Sequence, residues 1–292
     1  MEAVGGVLFS GIVLGGMYAL VAMGLTLQYG VARIMNLAYG EFVVAAGFAA
    51  LWLFTAAQVS PLLGLLLVMP AAFLLNLMIY RVLLLPLVRR ARSPGALETD
   101  SILATFGLLF VVQGVLLAAF GGAYQNYSYL SVPIGLFGAT VTANRLVALL
   151  FAAAIGTALW LWLARTRAGT AVRAVAVNPE AAQLVAIDVR RVAALAFAVG
   201  GAMVAAGGVL VSMFLTFNAA MGVVFTMKAL VVVIMGGVGN LMGCLVAGLL
   251  LGLVETAVAS WVDPGLTLAA TYALFLFVLI LRPAGLFGRP AR

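Results

Sequence analysis

Apolar residues fill this chain in long blocks, broken at intervals by arginines and by glycine-rich stretches. A bilayer-spanning helix needs about 20 predominantly apolar residues. Runs of that kind are Val4–Tyr29, Phe42–Ala57, Leu62–Leu85, Ser101–Phe120, Leu146–Ala164, Val192–Leu215 and Leu266–Leu281. An eighth stretch, Thr226–Ser260, is too long for one crossing and is interrupted by Gly236-Gly237-Val238-Gly239-Asn240. Glycines at that density weaken a helix, so a break is predicted there. The pattern predicts an all-α membrane protein: a polytopic helical bundle of about eight hydrophobic segments with broken or re-entrant helices, forming one transmembrane domain over residues 1–292.

The arginines orient the bundle, because positively charged loops stay on the cytoplasmic side. Arg89, Arg90 and Arg92 follow the third run, Arg165 to Arg191 the fifth, and Arg282, Arg289 and Arg292 the last. Gly121–Asn144 and Thr216–Phe225 contain no Lys or Arg and are assigned outside. If Thr216–Phe225 is outside and the tail after Leu281 is inside, Thr226–Ser260 must begin and end outside. It is therefore expected to be a re-entrant or twice-crossing hairpin that turns near Gly236–Asn240. The same parity puts the N-terminus outside, and Gly30–Glu41 on the inner side or part-way through the membrane. Val4 onward is expected to be a retained span, since Met1-Glu2-Ala3 lacks the basic region of a signal peptide. One glycine-interrupted segment in each half is a pointer to inverted repeats lining a pathway. Backbone that leaves helical geometry at membrane depth must be buried in protein or line a wet cavity.

The longest excursion from the apolar runs is Arg165–Arg191. Within it, Asn178-Pro179-Glu180 reads as a helix start. Asn caps free N–H groups, Pro at the first position gives up an N–H without a partner, and Glu suits the positive end of the dipole. The helix that follows places Ala181, Leu184 and Val185 on one face, at i, i+3 and i+4. That face either folds back on the protein itself or docks a cytoplasmic partner. The spacings Gly11-x-x-x-Gly15, Gly239-x-x-x-Gly243 and Gly248-x-x-x-Gly252 allow close helix packing.

Composition agrees and narrows the chemistry. Of 292 residues, 66% are hydrophobic and 8% charged, against about 25% charged in a soluble domain. The net charge of +7 comes from basic residues beside hydrophobic runs, which argues against a nucleic-acid partner. Cys244 is the single cysteine and there is no histidine, so no His-based metal site, catalytic triad or zinc-protease motif can be built. The one lysine, Lys228, is not in a phosphate-binding loop. The chain is expected to be a transport subunit and not an enzyme, without a metal. Arg33, Asn36, Glu41, Lys228, Asn240 and Glu255 lie in or beside apolar segments, where ionisable groups are expensive and often functional. Arg33, Glu41 and Lys228 are expected at helix ends, reaching the interface with long side chains. Glu255 either faces the outer interface or is a buried functional group. Tyr124, Tyr127 and Tyr129 are expected in an interfacial belt.

Several blocks resemble one family. Gly16-Met17-Tyr18-Ala19-Leu20, Gly24-Leu25-Thr26, Tyr29-Gly30-Val31 and Asn36-Leu37-Ala38-Tyr39-Gly40-Glu41-Phe42 are similar to the first block of branched-chain amino acid permeases of ABC importers. Thr166-Arg167, Gly169, Arg173-Ala174, Asn178, Glu180-Ala181-Ala182, Leu184 and Ile187 resemble its cytoplasmic segment. Lys228-Ala229, Gly236–Asn240 with Gly243, and Arg282-Pro283 with Gly285–Gly288 resemble later blocks. The order is that of the family, and the long Gly121–Asn144 region looks more like the LivH type than LivM. Where the family usually has His, this chain has Tyr39, which cannot titrate near neutral pH.

The resemblance implies a type II ABC importer-like fold and the inner (cytoplasmic) membrane of a bacterium. It implies a second permease subunit, separate ATPase subunits that use ATP and Mg, and a periplasmic or extracellular substrate-binding protein, with no cofactor bound by this chain. Residues 165–191 become a cytoplasmic coupling loop, with Arg173, Asn178, Pro179, Glu180, Ala181, Leu184 and Val185 touching the ATPase. The translocation path is expected near Asn36, Tyr39, Glu41, Gly236, Gly237, Gly239, Asn240 and Glu255. The expected cargo is a branched-chain or other hydrophobic amino acid. Urea or short amides carried by the same type of permease is the alternative cargo, and ion-coupled secondary amino acid transport is the alternative mechanism.

Overall fold

The structure is a computed structural model that describes residues 2–91, 93–136 and 139–288. Arg92, Arg289 and Arg292, three of the orienting arginines, lie outside the described residues. The chain is a helical bundle. Long helix α1 (Glu2–Ala32) is followed by the shorter α2 (Tyr39–Thr55). Helix α3 (Pro61–Ile79) widens into a π-helical turn, Tyr80–Leu84, and continues as α4 (Leu85–Arg90). The widening directly precedes Pro86, which lacks an N–H and would clash with the carbonyl one turn earlier in a regular α-helix.

Helix α5 (Pro94–Phe120) leads to the outer region, where β1 (Pro133–Leu136) pairs antiparallel with β2 (Ala139–Thr142). Then come α6 (Ala143–Arg165), α7 (Arg167–Val177), α8 (Pro179–Leu184) and α9 (Val189–Ser212). The chain closes with α10 (Gly222–Gly236), α11 (Leu241–Trp261), a 3₁₀ turn at Pro264–Leu266 and α12 (Thr267–Leu281). Among the described residues seven helical stretches are long and apolar enough to cross a membrane, and α2 and α10 are shorter apolar helices.

The parity argument holds in outline. Thr226–Ser260 is a helical hairpin, α10 and α11, with its turn at Gly237–Asn240. The tail after Arg282 lies on that turn: Leu286 N–H donates to Met235 O at 2.8 Å and Phe287 N–H to Gly236 O at 3.2 Å. The turn is thus at the arginine-rich end. At the opposite end Arg145 Nη1 donates to Ser10 Oγ at 3.0 Å.

The core is built where small residues let backbones meet. Gly15 on α1 faces Gly248 on α11, and a methyl group on Gly15 would lie 2.7 Å from the Gly248 carbonyl oxygen. Gly11 meets Leu253 in the same way. The first and third glycine spacings therefore face each other, as close backbone packing in a membrane requires. Helix α9 is the central helix, with Ala196, Phe197, Val204 and Leu210 fully buried. Of the three outer tyrosines, Tyr124 is exposed. Tyr127 and Tyr129 instead pack on Phe54, and Tyr127 shares a 2.8 Å hydrogen bond with Ser212.

Candidate transport and coupling sites

The first broken segment begins where α1 ends. Arg33 takes a left-handed φ of 53°, and the chain then turns back along the bundle. Asn36 Nδ2 donates to Gln28 Oε1 at 3.0 Å, and Asn36 Oδ1 accepts from Ala38 N at 3.1 Å. Gln28 Nε2 in turn donates to Phe197 O at 3.0 Å. Thr105 accepts from Leu37 N at 3.1 Å and lies 3.0 Å from Met35 O. The irregular backbone is thus satisfied by Thr105 from α5 and by Asn36, which Gln28 of α1 holds in place, as membrane depth demands.

Helix α2 starts at Tyr39, whose hydroxyl donates to Val21 O at 2.8 Å, with Gly200 O at 3.3 Å. Val21 lies eleven residues from Ala32 along α1, about 16 Å at 1.5 Å per residue. Helix α2 therefore begins part-way through the membrane. Helix α10 begins beside it: Thr226 Oγ1 accepts from Gly40 N at 2.8 Å and sits 3.1 Å from Leu37 O. The N-termini of two short helices, one from each half of the chain, meet here.

Glu41 lies at this junction. It is fully buried against Gly222, the first residue of α10, where a methyl group would overlap the Glu41 carboxyl carbon. Neither carboxyl oxygen has a hydrogen-bond partner among the described residues. The first residues of a helix carry unsatisfied N–H groups and partial positive charge, and Met221 provides no side-chain cap for α10. Glu41 thus faces the N-terminal end of α10 without a hydrogen bond to it.

Two expectations about charged residues are corrected. Glu41 and Lys228 do not reach the interface. Lys228 Nζ donates to the Tyr18 hydroxyl at 2.8 Å and forms an ion pair with Glu255. Lys228 is 9% and Glu255 7% exposed, so Glu255 does not face the outer interface either. The pair ties α1, α10 and α11 together. Arg33 is exposed at the end of α1, as expected.

The second broken segment sits at the arginine-rich end. Gly236 and Gly237 are buried, Gly239 is exposed, and Asn240 is part-buried. Gly237 and Gly239 take φ values of 98° and 84°, a region that favours glycine. Asn240 caps α11 by accepting from Gly243 N at 3.0 Å and donates to Phe287 O at 3.3 Å. The expected path residues therefore fall into three places: Asn36, Tyr39 and Glu41 at the mid-membrane junction, Gly236–Asn240 at the cytoplasmic turn, and Glu255 in the ion pair.

The Arg165–Arg191 segment is more ordered than a loop with one short helix. Helix α7, which the sequence reading missed, is anchored by Val172 and Val175, each 1% exposed. Asn178 caps α8 by accepting from Glu180 N and Ala181 N, both at 3.0 Å. The helix stops at Leu184, with Val185 just beyond it, because Ala186 turns left-handed with φ of 61°. Ala182 is buried beneath it, while Leu184 is 88% and Val185 70% exposed. Ala181 is exposed with them. Arg173 sits one helix earlier, on α7.

A family model described as the branched-chain amino acid transport system permease component matches residues 7–281. The chain belongs to this family. The permease is 27% identical to the high-affinity branched-chain amino acid transport system permease protein LivH of Salmonella typhimurium, over 97% of this chain and 95% of that one. It is equally 27% identical, over the same shares, to BraD of Pseudomonas aeruginosa, described in the same words. Among solved structures its fold is similar to PsaBC from Streptococcus pneumoniae in complex with Fab. That match has a TM-score of 0.52 at 12% identity and covers 98% of this chain and 94% of the other. The permease is a multi-pass inner-membrane protein with an ABC importer-like fold.

Proposed function

We propose that this permease forms half of the translocation path of an ATP-driven importer for branched-chain or other hydrophobic amino acids, and that α8 couples it to a separate ATPase. The observation that carries the reading is the tip of α8. Leu184 and Val185 are large apolar side chains held in water, on a helix fixed by the Asn178 cap and anchored from beneath by Ala182. A rigid apolar face in water is expensive unless a partner covers it. Ala181, Leu184 and Val185 would enter a groove on the ATPase, with Pro179 and Glu180 fixing the helix start and Arg173 flanking it. ATP and Mg would be used by that partner. A second permease subunit would complete the path, and an external binding protein would deliver the cargo.

The path itself is placed along the two broken segments. Asn36, Tyr39 and Glu41 would set its mid-membrane level, and Gly236, Gly237, Gly239 and Asn240 its cytoplasmic end. Glu255 belongs with Lys228 in the reading we favour, holding helices together beside the path.

The test is uptake of labelled leucine in cells that lack other leucine importers. Uptake should require an intact ATPase and binding protein and persist when ionophores collapse the ion gradients. Uptake that survives loss of the ATPase, and stops with the gradients, would replace this reading with ion-coupled secondary transport.

A further inference from the structure

A cleft of about 770 Å³ opens at the cytoplasmic end of α1. It is lined by Arg33, Glu98, Trp160, Leu163, Arg173 and Phe287, among others. Neither Arg33 nor Arg173 has an ion pair among the described residues. Glu98 accepts from the Tyr29 hydroxyl at 2.8 Å within the same wall. The wall therefore carries two guanidinium groups outside any ion pair against one carboxylate, Arg173 Nη2 also donating to Thr170 Oγ1 at 3.4 Å, and a guanidinium suits bidentate contact with phosphate oxygens.

Three further observations bear on the occupant. Arg33 holds a left-handed backbone conformation that glycine or asparagine would adopt at lower cost, so local geometry alone does not account for arginine there. Trp160, Leu163 and Val172 give the cleft an apolar side. Trp160 is 47% exposed, as is Leu161 beside it at 40%, so the apolar side continues onto the exposed side of α6, a surface suited to lipid. The cleft also lies at the arginine-rich end of the bundle, at the level where headgroups of the inner leaflet sit. Basic pockets between transmembrane helices on that side accept anionic headgroups.

We infer that this cleft binds the phosphate headgroup of an anionic membrane phospholipid, with Arg33 and Arg173 holding the phosphate and an acyl chain running along Trp160 and Leu163. A bare phosphate ion shares the headgroup chemistry but leaves the apolar wall and most of the volume unused. The inference does not depend on which cargo the permease carries, but the cleft shares Arg173, Gly239 and Asn240 with the sites proposed above, so it places the headgroup beside the cytoplasmic end of the path.

Trp160 makes the test direct. The full chain with Trp52, Trp162 and Trp261 changed to Phe would be placed in lipid nanodiscs containing brominated phosphatidylglycerol or brominated phosphatidylcholine at equal mole fraction. Phosphatidylglycerol should quench Trp160 at least twofold more strongly. Arg33→Gln with Arg173→Gln should bring the two lipids to equality, while Arg33→Lys with Arg173→Lys should keep part of the preference. Each variant is compared only when it elutes as a single folded species. Equal quenching in the parent, or a preference untouched by the glutamine pair, would overturn the inference. Loss of the preference on adding millimolar inorganic phosphate would reassign the cleft to a soluble phosphate compound and overturn the lipid assignment.

Discussion

The Lys228–Glu255 pair makes a sharp prediction about stability. Both partners are nearly buried, at 9% and 7% exposure, and Lys228 also bonds to Tyr18. Lys228→Met would leave Glu255 charged, buried and without its cation, beside an oxygen that already lacks a partner. Breaking a buried pair from one side costs about 3–5 kcal/mol, because the remaining charge is uncompensated. At roughly 2–4 °C per kcal/mol this lowers the melting temperature by about 6–20 °C. Glu255→Leu should cost a similar amount. The double variant removes both charges, a change that is often neutral or stabilising, but takes Lys228 from the buried Tyr18 hydroxyl at about 1–3 kcal/mol. It should therefore lose far less than the two single variants summed, giving a strong favourable coupling in the double-mutant cycle. The assay is thermal unfolding of detergent-purified protein, followed by size-exclusion chromatography. Additive losses in the double variant would refute the reasoning, because they would mean that the two charges do not compensate each other.

Other outcomes follow from the same geometry. Tyr39→Phe removes the hydroxyl bond to Val21 O, a carbonyl inside α1 that keeps its helical partner, and should cost about 0.5–1.5 kcal/mol, the net worth of one hydrogen bond; the same melting assay reads it. Gly15→Val should prevent α1 and α11 from packing, since even a first carbon would sit 2.7 Å from the Gly248 carbonyl oxygen; loss of monodisperse protein on size-exclusion chromatography would show it. Ending the chain after Pro283 removes the donors to Met235 O and Gly236 O, and limited proteolysis should then cut at Gly237–Asn240, which the parent resists. Burial pushes the Tyr127 hydroxyl up to about 12, above its ordinary value of about 10. Folding then binds this proton more tightly than the unfolded chain does. Its contribution is complete below pH 10 and is lost between about pH 10 and 12, which tyrosinate absorbance against pH would follow.

Much of the architecture was legible because a membrane span is a matter of length and composition. The eight hydrophobic segments, the hairpin turn at Gly236–Asn240 and the cap at Asn178 all came from local signals that tertiary structure does not override. What stayed hidden depends on partners far apart in sequence. Glu41 and Lys228 looked like side chains that reach water, since nothing local to Lys228 points to Glu255, 27 residues away. Helix α7 was missed because Arg167, Thr170 and Arg173 gave it the composition of a loop. The spacing of Val172, Val175 and Ala176 carried the signal that was overlooked. Gln28 and Thr226, which satisfy the broken first segment, stood out as polar residues in or beside apolar runs and could have been named. The meeting of α2 and α10 could not, because it joins residues about 190 apart.

The central claim is that α8 docks an ATPase through its exposed apolar face, and its most direct test is affinity purification of the tagged permease from its native membrane in mild detergent. The account predicts that an ABC ATPase accompanies the permease at near-equal stoichiometry. It also predicts that Ala181→Arg, which puts a charge into an apolar contact, removes the ATPase while the permease stays folded in the membrane. An ATPase retained in full by Ala181→Arg, or a permease that purifies alone and moves leucine without ATP, would contradict it.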